Sequence, residues 1–228
     1  MFFGSRYHLA NELRDATHQP FRNATPAEKR SKISICVIDD NPFEPKRNLE
    51  NAGYRITFLG DVNSIDPVTS HHIVLCDLMG VGTALDQKKQ GAFLIKEIKR
   101  NLPEKYVVAY TGGGFNQIVS RDAAINADFL LKKDADIEEW VDTLDMFISK
   151  LVNPYEVWQR QRLALAQREV DSKTILELES AFVTSIIQRE RPGSSKFKRF
   201  VESGDLSKDA RSVLQGMIAS GLYALLFG

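Results

Sequence analysis

The sequence predicts an α/β fold, a doubly wound five-stranded parallel sheet, followed by an all-α C-terminal region. Three observations carry this. Five short apolar runs bounded by polar turns lie between residues 33 and 132. Segments of helical period alternate with them. After Pro154 the strand signal stops and only helical patterns remain. Short, nearly continuous apolar runs mark strands buried on both faces, and their alternation with helices implies a parallel sheet covered on both sides.

Residues 1–31 are polar and carry turn formers ("HQPFRNATP"), so a short helix near 6–16 and then a linker are expected. The strands follow as "ISICVID" (33–39), "YRITFL" (54–59), "HIVLCD" (72–77), "YVVAYT" (106–111) and "DFLLK" (128–132). Between and after them, helical patterns cover roughly 43–52, 91–101, 115–125 and 137–151. "GAFLIKEIKRNLP" sets Phe93, Leu94, Ile98 and Leu102 on one side before Pro103 stops it. "IEEWVDTLDMFISKLV" repeats Ile137, Val141, Leu144, Ile148 and Leu151 at helical spacing. Beyond Pro154, helices are expected in "YEVWQRQRLALAQREV", "SKTILELESAFVTSIIQRE", "SKFKRFVES" and "SKDARSVLQGMIASGLYALLF". The predicted organisation is an N-terminal helix and linker (1–31), a central α/β domain (32–152) and a helical C-terminal region (153–228) for dimerisation or output.

Composition narrows the function classes. With 30 basic and 30 acidic residues, no chain-wide positive field argues for nucleic acid. Cys36 and Cys76 sit in separate apolar runs and are expected in the core, not in a disulfide or zinc site. "MFFGSRYHLANELRD" has no long apolar core and predicts no secretory signal. The C-terminal run "VLQGMIASGLYALLFG" has 16 residues, short of the ~20 that a membrane helix needs. It is expected to be a buried or partner-packed helix, and the expected address is the cytoplasm, without a membrane.

Ligand chemistry in such sheets sits at the carboxyl ends of the strands. There the sequence places Asp39 and Asp40 after the first run, Asp77 after the third, Thr111 after the fourth and Lys132 after the fifth. Each alone has an ordinary explanation. Asp-Asp-Asn-Pro starts a helix well, an aspartate after a strand forms a turn, and a lysine there is solvated. Together they suit phosphoryl transfer onto a carboxylate. Packed carboxylates need a cation among them, and hard oxygen ligands favour magnesium. A hydroxyl and an ammonium bind anionic oxygen, and one aspartate acts as nucleophile.

With "VIDDN", "LCDL", "AYTG" and "FLLK" in this order at strand ends, residues 33–151 resemble the receiver domain of two-component response regulators, a flavodoxin-like fold. The resemblance implies Asp77 as phosphoacceptor and Mg2+ held by Asp39, Asp40, Asp77 and the Met79 backbone carbonyl. It implies Thr111 as switch hydroxyl, Lys132 as the lysine that pairs with the phosphoryl group, and Phe129 in the place of the aromatic rotamer switch. Lys132 is chosen over its neighbour because the family pattern is an aromatic, two residues, then lysine. The sequence departs from the family at three places. Lys133 replaces the usual proline, "TGGG" replaces Thr/Ser-Ala, and Gly91 lies about six residues later than the family's glycine. The resulting loop, "VGTALDQKKQG", is expected as a polar surface insertion, with a lid over the site or a kinase-contact loop as the alternative.

The function so implied is that of a regulator and not an enzyme. A sensor histidine kinase or phosphotransfer protein supplies the phosphoryl group, and the helical region signals by protein–protein interaction as a homodimer. A DNA-binding output stays open as an alternative, with "SSKFKRF" as its candidate, as does a receiver-like module that is not phosphorylated. Haloacid-dehalogenase-like phosphatases use similar groups, but they carry their paired acids late in the chain, and here the pair comes first.

Overall fold

The computed structural model describes residues 7–112, 121, 123, 125–203 and 206–227. Contacts divide the chain into two compact units, residues 24–149 and residues 1–23 together with 150–228.

The first unit is the α/β domain. Its strands are β1 (Ser34–Ile38), β2 (Arg55–Phe58), β3 (Ile73–Asp77), β4 (Tyr106–Thr111) and β5 (Phe129–Lys132). All neighbours are parallel, in the order β2-β1-β3-β4-β5. The runs with least polar interruption, β1, β3 and β4, take the centre, and the mixed runs β2 and β5 take the edges. That follows from burial on two faces against burial on one. Strand order reverses between β1 and β3, so a crevice opens at the carboxyl ends of these two strands.

The helices of this unit are α1 (Pro26–Lys32), α2 (Lys46–Asn51), α3 (Gly91–Asn101) and α4 (Ile137–Leu151). The helix expected over 115–125 falls largely outside the described residues, as do Gly113 and Gly114. On one face of the sheet, Cys36, Cys76 and Ala109 pack with Leu94, Ile95 and Ile98 of α3. Burial pushes the Cys36 thiol up to about 12 and keeps both cysteines protonated core residues. On the other face, Tyr110, Phe43 and Trp140 meet at ring-centroid distances of 5.2–5.5 Å.

Helix α1 occupies part of the segment expected as linker. Its start is a capping box: Thr25 accepts from Glu28 N, Glu28 reaches back to Thr25 N, and Pro26 sits at the first helical position. Arg30 then forks onto Asp145 of α4 at 2.6 and 2.9 Å, and Tyr54 Oη donates to the same carboxylate at 2.7 Å.

The second unit contains α5 (Pro154–Gln167), α6 (Ser172–Ile187), α7 (Lys196–Ser203), α8 (Lys208–Ala219) and α9 (Leu222–Leu225). Asn153 caps α5 by accepting from Tyr155 N, so α4 and α5 are separate helices. An aromatic cluster of Trp158, Phe182, Phe197 and Tyr223 forms its core. Phe197 and Val201 of "SKFKRFV" are buried while Lys196 and Arg199 are exposed, the pattern of an amphipathic core helix. The apolar C-terminal run is not one helix. Gly221, at φ 79°, breaks it between α8 and α9, and its apolar side chains are largely buried. Among the described residues no helix is long and apolar enough to cross a membrane.

Residues 10–14 form a single 3-10 turn instead of the longer helix expected near 6–16. This segment belongs to the second unit. Backbone amides of His8 and Ala10 donate to Ser180 Oγ and Glu179 Oε1 at 3.1 and 2.8 Å. Glu179 Oε2 also accepts from Trp158 Nε1 at 2.9 Å and lies 3.6 Å from Arg162.

Candidate functional site

The site lies at the β1/β3 crevice. Strand β3 delivers Asp77, its last residue, 4% exposed. The turn after β1 delivers Asp39, fully buried, and Asp40, exposed. Ligand atoms of these three carboxylates lie within 4.8 Å of one another.

The lysine among them is Lys133, not Lys132. Lys133 Nζ donates to Asp77 Oδ2 at 2.6 Å and contacts Asp39 Oδ2 at 2.9 Å. Lys132, the end of β5, is exposed and pairs in register with Thr111. Side chains alternate along a strand, so a slip of one residue changes the face. The pairing extends one residue further, with Lys133 N donating to Thr111 O at 3.0 Å, and it is this next residue that turns toward the acids. Phe129 is displaced by the same logic. Three residues before Lys133 stands Leu130, packed on the α3-side core, and Phe129 lies on the opposite face, 38% exposed.

Burial alone would lower the Lys133 ammonium's pKa. Hydrogen bonds to Asp77 and Asp39, and their charges, outweigh it and raise it, so Lys133 stays charged. Among the described residues, three carboxylates still face one ammonium here. The crowding is deliberate in the backbone. Gly80, at φ 80°, lies so close that a Cβ would stand 2.4 Å from Asp40 Oδ2. Gly91 opens α3 where a Cβ would stand 2.0 Å from the Asp77 carbonyl. A side chain at Gly80 would displace the Asp40 carboxylate, and one at Gly91 would displace the backbone that carries Asp77.

The loop 78–90 is a surface insertion over residues 84–89, largely exposed as expected, and it is tied down at its base. Val81 is buried in the α3-side core. Gly82 N donates to Asp61 Oδ1 at 2.6 Å, and Gly80 N donates to Gln90 Oε1 at 2.9 Å. Gln90 holds a positive φ of 50° as it caps α3. Met79, the residue expected to offer its carbonyl, follows in this loop, and Asp77 Oδ1 accepts from Met79 N at 3.3 Å. Thr111 is buried at the end of β4.

Sequence reasoning missed Tyr110. It is buried, and its Oη donates to Asp39 Oδ2 at 2.8 Å. Burial first, then that hydrogen bond to a carboxylate, push its phenol pKa far up, so it remains a donor. The signal was available, because a tyrosine inside a fully apolar strand needs a partner for its hydroxyl.

Chemically the arrangement offers hard oxygen donors with a surplus of negative charge, a paired ammonium and a buried hydroxyl. Asp39, Asp40 and Asp77 are oxygen donors of the kind that magnesium accepts, and Asp40 is exposed where the waters it keeps could stand.

No family model matches the sequence, and no curated protein matches it. Among solved structures, the chain is similar to a CheY-like response regulator receiver domain protein from Methanospirillum hungatei JF-1. Identity is 14% and the TM-score 0.43, over 52% of this chain and 94% of that one. A response regulator protein from Burkholderia pseudomallei, with a phosphorylated aspartic acid, calcium ion and citrate, is 22% identical. Its TM-score is 0.41, over 69% of this chain and 98% of that one. RcsB from Salmonella enterica serovar Typhimurium, bound to promoter rprA in the presence of phosphomimetic BeF3-, is 21% identical with a TM-score of 0.39. That match covers 49% of this chain and 95% of the other.

Proposed function

We propose that this protein is a two-component response regulator that accepts a phosphoryl group on Asp77. The observation that carries the reading is Lys133 Nζ at 2.6 Å from Asp77 Oδ2, inside a cluster of three carboxylates at the carboxyl ends of β1 and β3. A lone buried aspartate would not need this surplus of acid.

In the proposed reaction a carboxylate oxygen of Asp77 attacks the phosphorus of a phosphohistidine on a kinase or phosphotransfer protein. The new P–O bond forms as the P–N bond breaks, and the imidazole nitrogen leaves with the electron pair. Asp40, Asp77 and the Met79 carbonyl would hold magnesium, which would supply positive charge against the transferring oxygens. Lys133 moves its donor from the Asp77 carboxylate to a phosphoryl oxygen, and Thr111 supplies a hydroxyl to another. The added charge, roughly −1.5 to −2, shifts a pre-existing equilibrium between two states of the domain. The C-terminal helices pass the change on by protein contact. Buried Phe197 and Val201 favour that over a nucleic-acid output, because they commit α7 to the helical core.

The test is labelling with acetyl phosphate and magnesium. The wild type should incorporate phosphate that is lost with Asp77→Asn. Undiminished incorporation in that variant would overturn the assignment.

A further inference from the structure

We propose that Tyr110 is a positioning residue of the cation site, its hydroxyl occupying Asp39 so that Asp40 and Asp77 take the cation directly. The inference rests on the reading that magnesium binds among these acids.

Both oxygens of Asp39 are engaged. Oδ2 accepts from Tyr110 Oη at 2.8 Å and meets Lys133 Nζ at 2.9 Å. Oδ1 accepts from Asn41 N at 2.9 Å and from Lys133 Nζ at 3.2 Å. A carboxylate has about four lone-pair sites, so little capacity is left for a metal. Asp40 differs: it is exposed, and its Oδ1 accepts from Asn41 Nδ2 at 2.8 Å.

The donors to Asp39 are not equivalent. Lys133 is shared with Asp77, and its long side chain moves to a phosphoryl group in the proposed reaction. Tyr110 cannot follow. Its ring is wedged between Phe43 and Trp140, each with its centroid 5.5 Å away, and its backbone is in the central sheet. The hydroxyl is therefore a fixed donor that keeps Asp39 in one orientation whether the site is loaded or empty. Phenylalanine would retain the ring and remove the donor. Asp39 Oδ2 would then keep only the Lys133 ammonium that it shares with Asp77, having lost its fixed donor, and a cation would take up the freed acceptor capacity.

The experiment is calorimetric titration of the full chain with magnesium chloride, paired with thermal unfolding with and without magnesium. Tyr110→Phe is expected to bind magnesium roughly tenfold more tightly, the scale of one hydrogen bond to a charged group. It should melt lower than wild type without the ion, and magnesium should close the gap. Tyr106→Phe, on the same strand with its ring stacked on Phe147, should leave magnesium affinity unchanged. Equal affinity of Tyr110→Phe and wild type overturns the proposal, as does a melting deficit that magnesium leaves in place. Absence of saturable binding to the wild type removes the underlying metal reading instead. Should Tyr110→Phe fail to fold, Asp39→Asn must weaken binding less than Asp40→Asn, and the reverse ranking overturns the proposal.

Discussion

Asp39 at the sheet and Glu179 among the C-terminal helices are both buried carboxylates, and they are satisfied in different ways. Glu179 stands among donors, with Ala10 N, Trp158 Nε1 and the Arg162 guanidinium around it. Asp39 has donors as well, but Asp77 and Asp40 crowd within 4.8 Å, and among the described residues Lys133 is the cation that pairs with Asp39 and Asp77. Burial of a charge therefore does not separate a structural acid from a functional one. What separates them is whether the surroundings balance it. The helical site is neutralised by the fold, and the sheet site is left negative.

Three measurements would break or sharpen this contrast. The largest effect is expected from Glu179→Leu, which strands the Trp158 and Ala10 donors. Unfolding by urea should show a loss of about 3 kcal/mol that magnesium does not recover. Lys133→Met should cost less, about 2 kcal/mol, because the side chain is one-third exposed and solvent screens part of the repulsion it relieves. Here magnesium should restore most of the loss in the same urea titration. The smallest effect has the opposite sign. Asp40→Asn, by removing repulsion, should stabilise the ion-free protein by about 0.5–1 kcal/mol while abolishing the stabilisation that magnesium gives. If Asp40→Asn instead destabilised the ion-free protein, the acids would be balanced and the contrast with Glu179 would fail.

Much of this was legible in the sequence, for physical reasons that also explain the failures. Uninterrupted apolar runs identify β1, β3 and β4 as central, and the reversal of strand order puts Asp39, Asp40 and Asp77 at one crevice. The choice between Lys132 and Lys133 was not legible. "LLKK" offers both, and the outcome depends on where β5 turns away from β4 after the Thr111–Lys132 pair. The anchoring of the loop 78–90 had little side-chain signature: Leu78 and Val81 enter the core, but the hydrogen bonds that hold the loop come from the backbone amides of Gly80 and Gly82. Helix α1 did carry a legible signal, the Thr25-Pro26-x-Glu28 cap, in a stretch whose turn formers suggested a linker. The docking of the N-terminal segment had no side-chain signature, because the backbone amides of His8 and Ala10 make the bonds.

That docking bears on how the protein is made. The chain emerges from the ribosome N-terminus first, and domains fold as their parts appear. His8 and Ala10 come out before the α/β unit, and Ser180 and Glu179 follow them by 172 and 169 residues. The whole α/β unit, residues 24–149, is synthesised in the interval. The sheet can close while the helical unit still waits for its second half, so a segment translated before the α/β unit finds its place only after it.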